Sequence, residues 1–75
     1  MTPKDKKIIE DSEARGIPIF VLTAKDMISV STIQHYRTLC KTEECGIDHI
    51  KEVSERIDEF RNWQVKNPAQ VKLPD

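Results

Sequence analysis

Between Ile17 and Thr32 the chain carries an apolar run, Ile19-Phe20-Val21-Leu22, which breaks at Ala24-Lys25-Asp26 and leads into a helix start rich in Ser29, Ser31 and Thr32. It is the one convincing strand-like segment in a sequence that otherwise reads as helix. A strand presents backbone donors and acceptors on both edges, and these need partners. Side chains alternate across a strand, so Ile17, Ile19, Val21 and Thr23 share one side, and Phe20, Leu22 and Ala24 the other. Both sides are apolar, the pattern of a segment covered on both faces. One strand cannot satisfy its own edges, so the fold needs a second pairing segment or a second chain. The other extended candidate, Gln70-Val71-Lys72-Leu73, is weaker, with Pro68 and Pro74 on its flanks.

Three helices surround this run. In the first, Thr2 supplies a cap, Pro3 suits the opening position, and Asp5 stands three residues after the cap. Gly16 ends it and Pro18 blocks its continuation. Its apolar face is thin, with Ile8, Ile9 and Ala14. The second helix spans about residues 30–43 with Ser29 as the favoured cap, and Val30, Ile33, Tyr36, Leu39 and Cys40 form one face. Gly46 ends the connection. The third helix spans about residues 49–67 with Asp48 as cap, and Ile50, Val53, Ile57 and Phe60 recur in steps of three and four, with Trp63 extending the stripe. A connection this short predicts an antiparallel hairpin. The expected architecture is mainly α with one short strand, in the order α-β-α-α, the strand covering about residues 18–24. Residues 1–67 form a single helical domain and residues 68–75 a C-terminal tail.

Size adds a constraint. A chain of 75 residues buries a modest fraction of its surface and needs a disulfide framework, a metal or oligomerisation to reinforce its core. Two cysteines, Cys40 and Cys45, are too few for a framework. The polar start Met1-Thr2-Pro3-Lys4-Asp5 carries no secretory signal, and no apolar segment approaches the length of a membrane span. A cytosolic protein with reduced thiols is expected, stabilised by self-association. Twelve Lys and Arg against thirteen Asp and Glu, interspersed, leave a net charge of −1. No basic face of the kind that binds DNA or RNA is evident.

Few residue constellations point to chemistry. His35, Cys40, Cys45 and His49 are ligand types for zinc. His35 and Cys40, however, stand five apart on one helix and point in different directions, and no Cys-x-x-Cys knuckle exists. No metal and no cofactor are expected. A Cys40–Cys45 disulfide is sterically conceivable across the turn, but Glu43 and Glu44 lie between and raise thiol pKa values. Cys40 reads as core filler. No nucleophile elbow, Walker loop or dinucleotide fingerprint occurs, so catalytic residues are not assigned and no enzyme is expected. The strand-to-helix junction is the one candidate anion site. Lys25, Ser29, Ser31 and Thr32 gather at a helix N-terminus, where free amides and the helix dipole favour negative charge, and Arg37 supplies a second cation further along. Ordinary capping by Ser29 explains the same residues without a ligand.

The segment Phe20-Val21-Leu22-Thr23-Ala24-Lys25-Asp26, followed by Ser29, Ile33 and Tyr36 and then by Glu52, Phe60 and Trp63, resembles a group of small phage and prophage proteins. In that group an apolar strand ending in Ala-Arg/Lys-Asp precedes a helix with an aromatic residue, and a second helix closes in Trp. The resemblance covers about residues 17–64. This chain departs from the pattern with Lys25 where arginine is common and Tyr36 where tryptophan is common. The resemblance implies a phage or integrated-element origin, a place in the bacterial cytoplasm, and action by binding. Self-association is expected through Ile17, Ile19, Val21, Thr23 and Trp63, with Ile17–Thr23 pairing between chains. A host protein is a further expected partner. The alternative partner is an anionic nucleotide, a phosphate-bearing host signal sequestered as counter-defence at Lys25, Ser29, Ser31, Thr32 and Arg37.

Overall fold

A computed structural model describes residues 1–74; Asp75, the last residue of the expected tail, lies outside the described residues. The helices are α1 (Pro3–Ala14), α2 (Ser29–Thr42) and α3 (Ile47–Lys66), followed by a single 3-10 turn at Pro68–Gln70. The mainly helical expectation holds.

α1 is fixed by its ends. The Asp5 N–H donates to the Thr2 hydroxyl at 3.1 Å, and the Thr2 N–H donates to the Asp5 carboxylate at 3.4 Å, closing the capping box read from the sequence. At the other end Gly16 takes φ 67°, and the Ile17 N–H reaches the Ser12 carbonyl at 2.9 Å. A left-handed residue followed by a bond five residues back is a Schellman stop, and glycine bears that backbone without strain. Nothing in α1 is buried. Ion pairs tie it to α3: Lys4 Nζ to Glu52 at 2.9 Å and Arg56 to Asp5 at 3.7 Å, all of them solvent-exposed or nearly so. Water screens exposed pairs of this kind, so they add little to stability.

α2 and α3 form the expected antiparallel hairpin. Its ends are stitched by Ser29 with Gln64 and by Tyr36 with His49, and its middle by Arg37 with Ser54. The core is small: Cys40, Val53 and Ile57 are the buried apolar residues, and Ile57 is fully buried. The hairpin turn does not use Gly46 as its left-handed residue. Glu44 takes that role, with φ 56°, while Gly46 has φ −54° and serves as the N-cap of α3. The helix begins there rather than at the expected Asp48 cap.

The cap expected at Ser29 is corrected. Ser29 lies inside α2 with its side chain completely buried, and the N-cap is Ile28. Asp26 does the capping, its carboxylate accepting the Ile28 N–H at 2.9 Å and its carbonyl the Ser29 N–H at 3.1 Å. An Asx turn of this kind is a local alternative to an N-cap side chain.

Among the described residues, no strand forms over residues 18–24, where one is expected. Among the described residues, bridging is confined to one parallel pair, Asp26 with Lys72. The Lys72 N–H donates to the Lys25 carbonyl at 3.0 Å, and the Met27 N–H to the Lys72 carbonyl at 2.9 Å. The chain at Lys72 therefore folds back against the 25–27 crossover. The radius of gyration is 13.7 Å, against about 11 Å for a compact chain of this length. The extra extent reflects an N-terminal arm, α1 with residues 17–23, that stands off from the hairpin.

Candidate functional site

Two neighbouring surfaces hold the strap and the crossover residues singled out from the sequence. The first is the apolar strap that follows α1. Phe20 is 85% exposed and Val21 74%, with Ile17 and Ile19 about half exposed. Among the described residues, no backbone hydrogen bond is made by residues 18–22; Thr23 accepts one through its carbonyl, from the Asp26 N–H at 3.1 Å. Backbone polar groups without protein partners are tolerated only in water, so the strap is both apolar and unpaired. Ile17, Ile19, Val21 and Thr23 are all exposed. Trp63 is half-buried and lines a groove with Thr23, Ala24 and Lys25.

The second surface is the corner where the 23–28 crossover, the end of α3 and the C-terminal segment meet. Gln64 organises it. Its amide donates to the Ala24 carbonyl at 3.0 Å, and lies 3.3 Å from both the Asp26 carbonyl and the Ser29 hydroxyl. One side chain thus anchors the crossover to the hairpin and satisfies the buried Ser29. Sequence reasoning missed Gln64, although a signal was present. The stripe Ile50, Val53, Ile57, Phe60 continues by a step of four to position 64, where a glutamine faces the core side. Val21, Lys25, Lys72 and Leu73 line a shallow groove beside this corner, which places two lysines next to the strap.

The five residues of the candidate anion site do not converge. Lys25 and Ser31 are exposed. The Ser29 hydroxyl faces Gln64, and the Thr32 hydroxyl donates to the Ile28 carbonyl at 2.8 Å. Arg37 donates to Ser54 on α3 at 3.1 Å, about 12 Å along α2 from Ser29 at the ordinary helical rise. The positive end of the α2 dipole is also already met by the Asp26 carboxylate.

The far end of the hairpin holds the remaining titratable cluster. The Tyr36 hydroxyl lies 3.0 Å from His49 Nε2, and the rings meet edge to face. A hydrogen bond with the Cys40 thiol, then burial, push the Tyr36 hydroxyl above its ordinary pKa. A hydrogen bond with the same thiol, then desolvation and the negative charges nearby, push the Cys45 thiol up. Cys40 is buried and Cys45 exposed, and both are free. The described residues contain no group of three or more His, Cys, Asp or Glu placed to hold a metal ion, and His35 points to solvent.

No protein-family model matches the chain, and no curated protein or solved structure matches it. Among the described residues, no helix is long and apolar enough to cross a membrane.

Proposed function

We propose that this protein is a non-enzymatic binding module that associates with a second copy of itself through residues 17–23, and works as a phage-type accessory protein through protein–protein contacts. The carrying observation is the strap: exposed apolar side chains on a backbone without hydrogen bonds over residues 18–22. Surface area supports the same reading. The chain exposes 6176 Å², whereas a compact monomer of 8.7 kDa exposes roughly 4,700 Å². The excess is larger than the roughly 800 Å² that each partner buries in a standard-size interface.

The strap also favours one edge. The N–H and C=O of an extended residue point to the same edge, and successive residues alternate edges. Pro18 removes a donor from the even-numbered edge. Ile19, Val21 and Thr23 keep theirs on the other. Antiparallel pairing about Phe20 sets Ile19 against Val21 of the partner subunit, and two-fold symmetry repeats the pair. The test is sedimentation velocity across micromolar concentrations. The wild type is expected to sediment as a dimer or larger, and Val21→Pro, which removes one edge donor, as a monomer with unchanged helical circular dichroism. A wild type that is monomeric at micromolar concentration and still unfolds cooperatively overturns the proposal.

A second reading, binding of an anionic nucleotide, is favoured by one observation: Lys25 shares a groove with Trp63 and another with Lys72. An indole beside one ammonium group, with a second lysine in the adjoining groove that Asp26 also lines, suits a nucleobase and a phosphate. This moves the site from the α2 terminus to the Gln64 corner. Calorimetry with cyclic and linear nucleotides tests it. Heat that is lost in Lys25→Ala and Lys72→Ala and kept in Arg37→Ala supports the corner, and no heat with any nucleotide removes the reading.

A further inference from the structure

The turn between α2 and α3 brings two thiols together by backbone geometry. Glu43 is the C-cap of α2, so Cys40 is the third helical residue from the end and Cys45 the second beyond the cap. The Cys45 N–H donates to the Cys40 carbonyl at 2.9 Å, the Glu44 N–H donates to the Lys41 carbonyl at 3.3 Å, and Glu44 is left-handed. This bond pair is a Schellman motif, a turn in which a side-chain contact between these two positions is frequent. α1 ends in the same motif with Ser12 and Ile17 at the equivalent places. Only in α2 do both positions carry sulfur. Cys40 is 3% exposed and Cys45 is open to solvent. The turn lies at the opposite end of α3 from the strap and the Gln64 corner, so it is independent of self-association.

We propose that Cys40 and Cys45 form a dithiol site that takes low-molecular-weight disulfides and closes to an intrachain disulfide. Cys45, the accessible thiol, enters first. Its thiolate attacks one sulfur of the small disulfide, the S–S bond of that molecule breaks, and a mixed disulfide forms on Cys45 as a thiolate leaves and takes up a proton. The Cys40 thiolate then attacks the Cys45 sulfur and expels the second small thiol, which is protonated in turn. The protein loses two protons and two electrons, and one small disulfide becomes two thiols. The folded turn favours the second step over a lasting adduct because the resolving sulfur is already in place.

The test needs only the wild-type protein. It is equilibrated in glutathione buffers of graded thiol-to-disulfide ratio, once in native buffer and once in urea sufficient to abolish the helical circular dichroism. Each sample is quenched in acid and weighed by mass spectrometry. The expected native product is the chain lighter by two hydrogens, forming in a buffer roughly tenfold less oxidising than the unfolded chain requires. Equal midpoints in the two solvents overturn the proposal. So does a native chain that collects glutathionyl groups without closing.

Discussion

The α2–α3 hairpin and the N-terminal arm have similar proportions of apolar side chain and treat it in opposite ways. In the hairpin, Val53, Ile57 and Cys40 are covered, and the polar groups inside are paired, Ser29 with Gln64. In the arm, α1 buries nothing, and Ile17, Ile19, Phe20 and Val21 face water. The hairpin draws its stability from packing between its own helices. The arm is held by a capping box and exposed ion pairs at one end, and by the Gln64 bond to Ala24 at the other. The lesson is that apolar content alone does not make a core. A helix pair of matching stripes closes on itself, whereas an isolated extended run cannot.

The largest expected effect lies in the hairpin. Ile57→Ala, which empties a fully buried site, should cost about 2–5 kcal/mol, read as a collapse of the urea midpoint. Phe20→Ala in the arm, tested at a concentration below self-association, should change stability by no more than about 0.5 kcal/mol. Equal losses from the two would erase the distinction between the regions.

Next comes the link between them. Gln64→Leu keeps the bulk and removes the donor that serves Ala24, Asp26 and Ser29. Leaving those groups without it should cost about 1–3 kcal/mol. Hydrogen exchange should accelerate from residue 24 to residue 29 before it changes in the middle of α3. Uniform acceleration would mean that Gln64 belongs to the core rather than to the link.

Thr2→Ala is expected to cost about 1 kcal/mol of helix stability, confined to α1 and visible as faster exchange in its first turns. A drop in the midpoint of the whole protein would show that α1 folds with the hairpin as one unit.

The smallest effect is set by acid. The bond from Thr2 holds the Asp5 carboxyl below its ordinary range, and the bond and charge of Lys4 do the same for Glu52. A depressed carboxyl contributes stability that is complete above its unfolded pKa and is lost as pH falls through the folded one. The seating of α1 should therefore weaken as pH drops below about 4, while the α2–α3 contacts persist. Hydrogen exchange followed from neutral pH into acid checks the order, and salt should blunt the effect.

Much of this was legible in the sequence, because helix signals are local. Thr2, Pro3, Asp5 and Gly16 all act where they were read, and the α3 stripe at Val53 and Ile57 is the core. The candidate sites were less legible. Ser29 looks like a cap and is instead a buried acceptor, since Asp26 reaches the free amide first. Arg37 looks free for an anion and is turned to Ser54. Lys72 lies in the weaker extended candidate, within a segment also read as tail, and it pairs with Lys25 and Met27 beyond the apolar run rather than with the run itself. In each case the deciding partner is distant along the chain or competes within one turn, and neither a period nor a composition records it.

By itself the sequence determined the three helices, their stops, and the thin face of α1. These follow from propensity, capping and periodicity over a few neighbouring residues. Tertiary structure alone decided that, among the described residues, residues 18–22 make no backbone hydrogen bond, that Gln64 rather than a hydroxyl at the α2 terminus organises the corner, and that Glu44 rather than a glycine is the left-handed residue between Cys40 and Cys45. An extended segment is defined by hydrogen bonds to another segment, and a side chain's role by which groups reach it first.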